Sequence, residues 1–240
     1  HGGNLDFRYG NPAWEGDRFE LGSIQLTVFE TPGHTMESIS LALSDKDFGE
    51  DPVSVFSGDA LLIGDVGRTD FYPGRAREVA GLLYDSIFQK LLPLGDQVIL
   101  YPAHGAGSVC GAGMASREFS TLGYERKYNP VLGMTGREAF IRHKTRETHD
   151  QPPYFRQMEQ YNLEGSAPLL DRLPEPRPLG ASAFAERSAE EALVLDVRSP
   201  EAMGGALIPG SLGIPLDMVP AFGGWFLPYD KDILLVVQGY

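Results

Sequence analysis

Phe56-Ser57-Gly58-Asp59-Ala60-Leu61-Leu62-Ile63-Gly64-Asp65-Val66-Gly67-Arg68-Thr69-Asp70-Phe71-Tyr72 holds the densest grouping of chemically capable residues in this chain. The apolar run Val53 to Phe56 that leads into it has the β-branched and aromatic make-up of a strand. That strand ends at a carboxylate, Asp59, in a loop punctuated by Gly58, Gly64 and Gly67, where glycine permits tight backbone. Arg68 and Asp70 follow two residues apart. Taken alone, a carboxylate at a strand mouth is a turn former or helix cap as readily as a metal ligand.

Two other apolar runs end in the same way. Val28-Phe29-Glu30-Thr31-Pro32-Gly33-His34-Thr35 and Val98-Ile99-Leu100-Tyr101-Pro102-Ala103-His104-Gly105 each stop at proline and then deliver a histidine after one small residue. Two imidazoles and a carboxylate at one sheet edge make the ligand set of a divalent metal, with positions left open for a substrate or oxygen. His34, Asp59 and His104 are therefore the candidate metal residues.

The strings T-P-G-H-T, S-G-D-A-L-L-I-G-D-V-G-R-T-D-F and P-A-H-G-A-G-S resemble, in order and spacing, the downstream metal motifs of the metallo-β-lactamase superfamily. Within it they are similar to the persulfide dioxygenase (sulfur dioxygenase) branch, over about Gly10 to Asn162. The resemblance implies an αββα sandwich in which His34 and Asp59 ligate a mononuclear iron(II). It also implies a further histidine from an upstream H-x-H-x-D-H motif, so the remaining ligands are expected ahead of His1. In dizinc relatives His104 joins a second metal and Asp59 bridges. Imidazole and carboxylate serve iron and zinc alike; a facial two-His-one-carboxylate set, with three open positions, favours Fe(II) over Zn.

The implied reaction is oxidation of the outer sulfur of glutathione persulfide, or a similar low-molecular-weight persulfide, to sulfite by O2. The metal supplies the redox step and the protein supplies orientation and charge. Arg68 is suited to grip a substrate carboxylate bidentately, or to pair with Asp65 or Asp70 and stiffen its own loop. Ser57, Thr35 and Asp70 are candidates to orient the ligands by hydrogen bonds, and Tyr124 to face the pocket from a following helix. Catalytic roles thus fall on His34, Asp59 and Arg68, and substrate contacts on Arg68, Asp70 and Tyr124.

The 240 residues leave room for one or two domains and a sizeable core. With 42% apolar residues and no apolar run near 18 residues, the composition is that of a soluble globular chain without a membrane span. A formal net charge of -13 and no Lys/Arg cluster argue against a nucleic-acid partner. The single cysteine, Cys110, fits a reducing cytoplasm; with no Cys-His-Asn arrangement around it, it reads as a buried or sensor thiol. None of this bears on whether the chain forms a homo-oligomer.

Along the chain, strands are expected at 19–29 with a turn at Gly22, at 38–43, 53–56 and 97–101, with a helix over 74–92 whose apolar residues follow helical spacing. Three short helices follow at 117–127, 135–148 and 154–161, the second with Thr135 and Glu138 as a capping box. His143 and His149, among Arg, Lys and Glu, read as solvated. The expected class is α+β.

Residues 164–180, with four prolines, read as a linker between a domain at 1–163 and a second at 181–240. There Leu195-Asp196-Val197-Arg198-Ser199-Pro200-Glu201-Ala202, Ile208-Pro209-Gly210 and the strand 233–237 resemble the opening half of a rhodanese domain. In that family Asp196 and Arg198 form a salt-bridged scaffold. Sulfur transfer needs a cysteine after the last strand, where Val237, Gln238 and Gly239 stand, so this domain is expected to be non-catalytic. The rivals to a dioxygenase are a dizinc thioester hydrolase of the glyoxalase II type and an inactive sulfur-carrier scaffold.

Overall fold

The computed structural model describes residues 2–3, 7–8, 10–106, 113–134, 136–165 and 175–239, so Cys110, Thr135 and much of the proline-rich stretch lie outside the described residues. The chain divides into two compact units, 1–149 and 150–240.

The first unit holds one mixed sheet of six strands: β1 (Arg18–Leu21), β2 (Ile24–Glu30), β3 (Ile39–Asp45), β4 (Pro52–Gly58), β5 (Ile99–Pro102) and β6 (Ser120–Thr121), in that spatial order. Gly22, at φ +67°, makes the turn between β1 and β2, the backbone region glycine enters without strain. All pairings are antiparallel except β4 with β5, which are joined by a helical crossover. That crossover starts as α1 (Ala76–Asp85), widens into one π-helical turn over Ser86–Leu91 and tightens to a 3-10 turn at Leu92–Leu94. Pro93 and Gly95 then stop it, as expected from the sequence. Further on come α2 (Leu122–Tyr128) and α3 (Arg137–Lys144). Helix α3 begins after Gly136 and is shorter than the 135–148 expected.

The core lies between the sheet and these helices: Val55 and Leu100 meet Leu83, Ile87, Leu91 and Phe140. The sheet's alternation runs against the usual rule. On β3 the residues turned to the helices are Ser40, Ala42 and Ser44, all buried, while Ile39, Leu41 and Leu43 are only half-buried. The same outer face carries Phe56 stacked on Tyr101 at 5.5 Å between ring centroids, with Phe119 beyond it. One sheet with helices on one face is one sheet-and-helix half of the αββα arrangement; the two-sheet sandwich itself is not complete among the described residues.

The second unit contains α4 (Phe155–Glu164), α5 (Ala181–Ala189), β7 (Leu193–Asp196), α6 (Pro200–Gly205), β8 (Leu212–Gly213), α7 (Val219–Phe226) and β9 (Ile233–Val236). Its strands form an all-parallel sheet, β8-β7-β9. Helix α4, read from sequence as the end of the first domain, belongs here because Tyr154 at its start packs on Trp225 of α7, with ring centroids 6.2 Å apart. At the carboxyl end of β7 the fully buried Asp196 takes a fork of bonds from Arg198, at 2.9 and 2.6 Å. These bonds hold its carboxyl below the usual carboxylate range. No helix among the described residues is long and apolar enough to cross a membrane.

Candidate metal centre

Strand direction brings the predicted residues together. Because β2 and β4 both run antiparallel to β3, and β5 runs parallel to β4, the carboxyl ends of β2, β4 and β5 open at one edge of the sheet. The loops that leave those ends carry His34, Asp59 and His104. The Ala103 amide donates to the Gly58 carbonyl at 3.0 Å, which ties the last two loops to each other.

Asp59 sits between the histidines. His104 Nε2 lies 3.3 Å from its Oδ1, and His34 Nε2 lies 3.9 Å from its Oδ2. Oδ1 is buried and has no hydrogen-bond partner, a costly state for a carboxylate oxygen unless something else satisfies it. His34 is 6% exposed. Its Nδ1 is 3.1 Å from the Arg68 carbonyl; a carbonyl only accepts, so Nδ1 carries the proton and Nε2 presents a lone pair towards Asp59. Burial lowers the His34 pKa, against the opposing pull of Asp59 and of the Arg68 carbonyl, and keeps the ring neutral. A buried neutral imidazole fixed in one tautomer beside an unsatisfied carboxylate oxygen is what a divalent cation requires, so these residues fit one. Among the described residues, however, no group of three or more His, Cys, Asp or Glu side chains is arranged to hold a metal ion.

The glycines show how close the backbone comes. A Cβ on Gly67 would overlap the Asp59 carbonyl oxygen and stand 3.1 Å from His34 Cβ and Nδ1, and one on Gly33 would strike the backbone of Leu83 in α1. Gly67→Ala is therefore expected to push the Asp59 and His34 loops apart and to weaken metal binding by at least about tenfold, read by titration of the metal-free protein. Unchanged affinity would show that the loops do not need this approach.

Arg68 is 1% exposed. Its Nε and Nη2 each donate to Asp70 at 2.7 Å, and its guanidinium lies 5.0 Å from the centre of the Phe71 ring. Of the two sequence alternatives for its partner, Asp70 is the one found; Asp65 instead accepts from the Val66 and Gly113 amides. Burial alone would raise the Asp70 pKa, but the Arg68 hydrogen bonds and charge override it and hold that carboxyl below the usual range. Ser57 bonds the Leu61 carbonyl and Thr35 bonds Ser38. Tyr124 is 43% exposed on α2, its ring against Tyr128 and under the Arg117 guanidinium. His149, expected to be solvated, is 13% exposed and shares the Glu147 carboxylate with His143 and Lys144.

Two residues that support the loop went unnoticed in the sequence. Glu125, 1% exposed, accepts from the Gly64 amide at 2.7 Å and from Ser120 Oγ at 2.6 Å. Asn129 donates to Glu125 and to the Asp65 carbonyl. The available signal was helical spacing, since Leu122, Glu125 and Asn129 lie on one stripe, which the structure buries.

No family model matches the chain. Among solved structures it is similar to a metallo-β-lactamase from Staphylococcus aureus, with 30% sequence identity and a TM-score of 0.80 over 98% of this chain and 67% of that one. The chain belongs to the metallo-β-lactamase superfamily, a class of metal-dependent enzymes. Within it, the chain is 34% identical over 124 residues to the mitochondrial persulfide dioxygenase ETHE1 of Mus musculus, covering 52% of this chain and 42% of that protein. It is also similar to the structure of ETHE1 from Myxococcus xanthus, with 30% identity and a TM-score of 0.56 over 69% of this chain and 65% of that one. The chain spans less than half the length of the curated relatives it matches.

Proposed function

We propose that this chain carries part of the active site of an iron(II)-dependent persulfide dioxygenase acting on glutathione persulfide or a related small persulfide. The observation that supports it best is Asp59, with a buried unsatisfied oxygen between two histidines, in a chain similar to persulfide dioxygenases. His34 Nε2 and Asp59 would hold the metal, with His104 beside them. When bound, iron(II) supplies the dioxygen chemistry that carries the outer sulfur to sulfite.

The chain's own residues do the positioning. The Arg68 carbonyl keeps the His34 proton on Nδ1, and the Arg68–Asp70 fork locks the loop from which that carbonyl projects. Gripping a substrate carboxylate through Arg68 would require this fork to open, so we assign Arg68 and Asp70 to positioning. Tyr124, half-exposed on α2, remains the candidate substrate contact. The second unit we read as a non-catalytic rhodanese-like module with a docking or spacing role. Its parallel sheet and Asp196–Arg198 fork support this, as does the absence of cysteine at 237–239.

One observation favours a second reading. Asp59 turns one oxygen to each histidine, as a carboxylate bridging two ions would, which suits a dizinc thioester hydrolase. Oxygen uptake by the full-length, iron-loaded protein given glutathione persulfide separates the two. Uptake with sulfite released in equal amount is expected. Two zinc ions per chain with thioester hydrolysis would establish the rival, and neither activity from metal-loaded protein would leave the scaffold reading.

A further inference from the structure

We propose that Ser40 is a positioning residue for the metal centre, the middle link of a buried hydroxyl chain that sets the spacing of the His34 and Asp59 loops. This rests on the reading of His34 and Asp59 as metal ligands. Thr31 opens the His34 loop, Ser40 lies on β3 between the two ligand strands, and Ser57 stands near the end of β4. They are 0%, 0% and 1% exposed, respectively. Thr31 Oγ1 is 2.9 Å from Ser40 Oγ, Ser40 Oγ is 3.2 Å from the Ser57 carbonyl, and Ser57 Oγ is 2.6 Å from the Leu61 carbonyl.

Carbonyls only accept, so each serine spends its single proton on a carbonyl. Ser40 then has only lone pairs to offer Thr31, and Thr31 must donate. The chain consequently has one direction, from the His34 loop through β3 into the Asp59 loop. Its last bond spans the tight turn that presents Asp59, which is also closed by the Ala60 amide donating to the Ser57 carbonyl at 3.1 Å. Ala42, two residues along the same buried face, shows that packing there does not require a hydroxyl. The hydroxyl of Ser40 serves the two bonds it makes.

The test uses the full-length protein, with Co2+ as the probe, followed by dissociation constant and visible absorption band. Ser40→Ala leaves the Thr31 proton without its acceptor and takes from the Ser57 carbonyl one of its two donors, the Ala60 amide remaining. Its Co2+ binding is expected to weaken about tenfold with a shifted band, whereas Thr31→Ser, which keeps the donor, matches wild type. The double variant Thr31→Val/Ser40→Ala removes the orphaned donor; it is expected to recover melting temperature relative to Ser40→Ala while Co2+ binding stays weak. Should Ser40→Ala not fold, Thr31→Val, which breaks the first link alone, must show the same weakened binding and shifted band. Wild-type Co2+ affinity and band in folded variants would overturn the proposal and leave the ligand assignment standing. A wild-type protein that binds no Co2+ would overturn the ligand assignment and the proposal together.

Discussion

Asp59→Asn in the full-length protein is expected to abolish oxygen uptake and to weaken metal binding by at least about a hundredfold, more than the loss of an outer-shell partner causes. The substitution keeps the size of the side chain but exchanges a charged oxygen for an amide nitrogen that can only donate. Whichever way the amide turns, one of the two positions now facing His34 Nε2 and His104 Nε2 loses its ligand atom. The same change should leave the metal-free protein slightly more stable. Asp59 carries a buried oxygen without a hydrogen-bond partner, with only the His104 ring 3.3 Å away, and removing such a charge relieves a desolvation penalty. A ligand is thus recognised by opposite movements: metal content falls while the melting temperature of the metal-free form holds or rises by a degree or two. Full metal loading of Asp59→Asn would show that Asp59 is not a ligand, and a large fall in melting temperature would recast it as structural.

Arg68→Met is expected to destabilise the first unit by roughly 3 kcal/mol, near the lower limit for breaking a buried pair because Asp70 keeps some contact with water. For a unit of this size that is a fall in melting temperature of roughly 6–12 °C, measurable by calorimetry. The pH dependence gives a second readout. In the wild type the folded-state pKa of Asp70 lies below its unfolded value. The stability it contributes is therefore complete above the ordinary carboxylate pKa and is lost as pH falls through the lower, folded value. Without Arg68, burial is opposed only by a backbone hydrogen bond and the His149 charge, so the Asp70 pKa rises towards its unfolded value and the variant should lose less stability than wild type on acidification. Metal binding should weaken as well, because the Arg68 carbonyl that holds the His34 tautomer sits on the loop the fork had fixed. A variant as stable as wild type, with the same acid profile, would mean the fork contributes nothing.

The loops that carry His34, Asp59 and His104 were legible in the sequence because their signals are local. An apolar run, a proline and a small residue before a histidine mark a strand end wherever they occur, and the strand pairings then bring those ends to one edge. What supports the loops is not local. Glu125 reaches Gly64 across 61 positions of chain, and only the packing of α2 under the loop reveals it. The alternation Ile39-Ser40-Leu41-Ala42-Leu43-Ser44 misleads outright, since a half-buried strand usually turns its serines outward. Here helices pack closely on the serine face and the larger apolar side chains occupy the other. The π-helical turn at Ser86–Leu91 has no period a sequence scan would recognise, yet it places Ser86 Oγ 2.8 Å from the Pro32 carbonyl in the His34 loop. Helix α4 groups with the second unit through Tyr154 against Trp225, a contact between distant parts of the sequence that no local pattern reveals.

Three strands that share a direction each release one loop at the same edge, and these loops carry His34, Asp59 and His104. In evolutionary terms this makes the centre modular. A lineage can lengthen or rewrite one loop while the other two stay anchored to their own strands, and trial chemistries are sampled without refolding the sheet. The hydroxyls of Thr31, Ser40 and Ser57 mark the limit of that freedom. Ser40 and Ser57 belong to strands and Thr31 directly follows the end of one, so inheritance should tolerate drift in what the loops carry far more readily than in how they are hung.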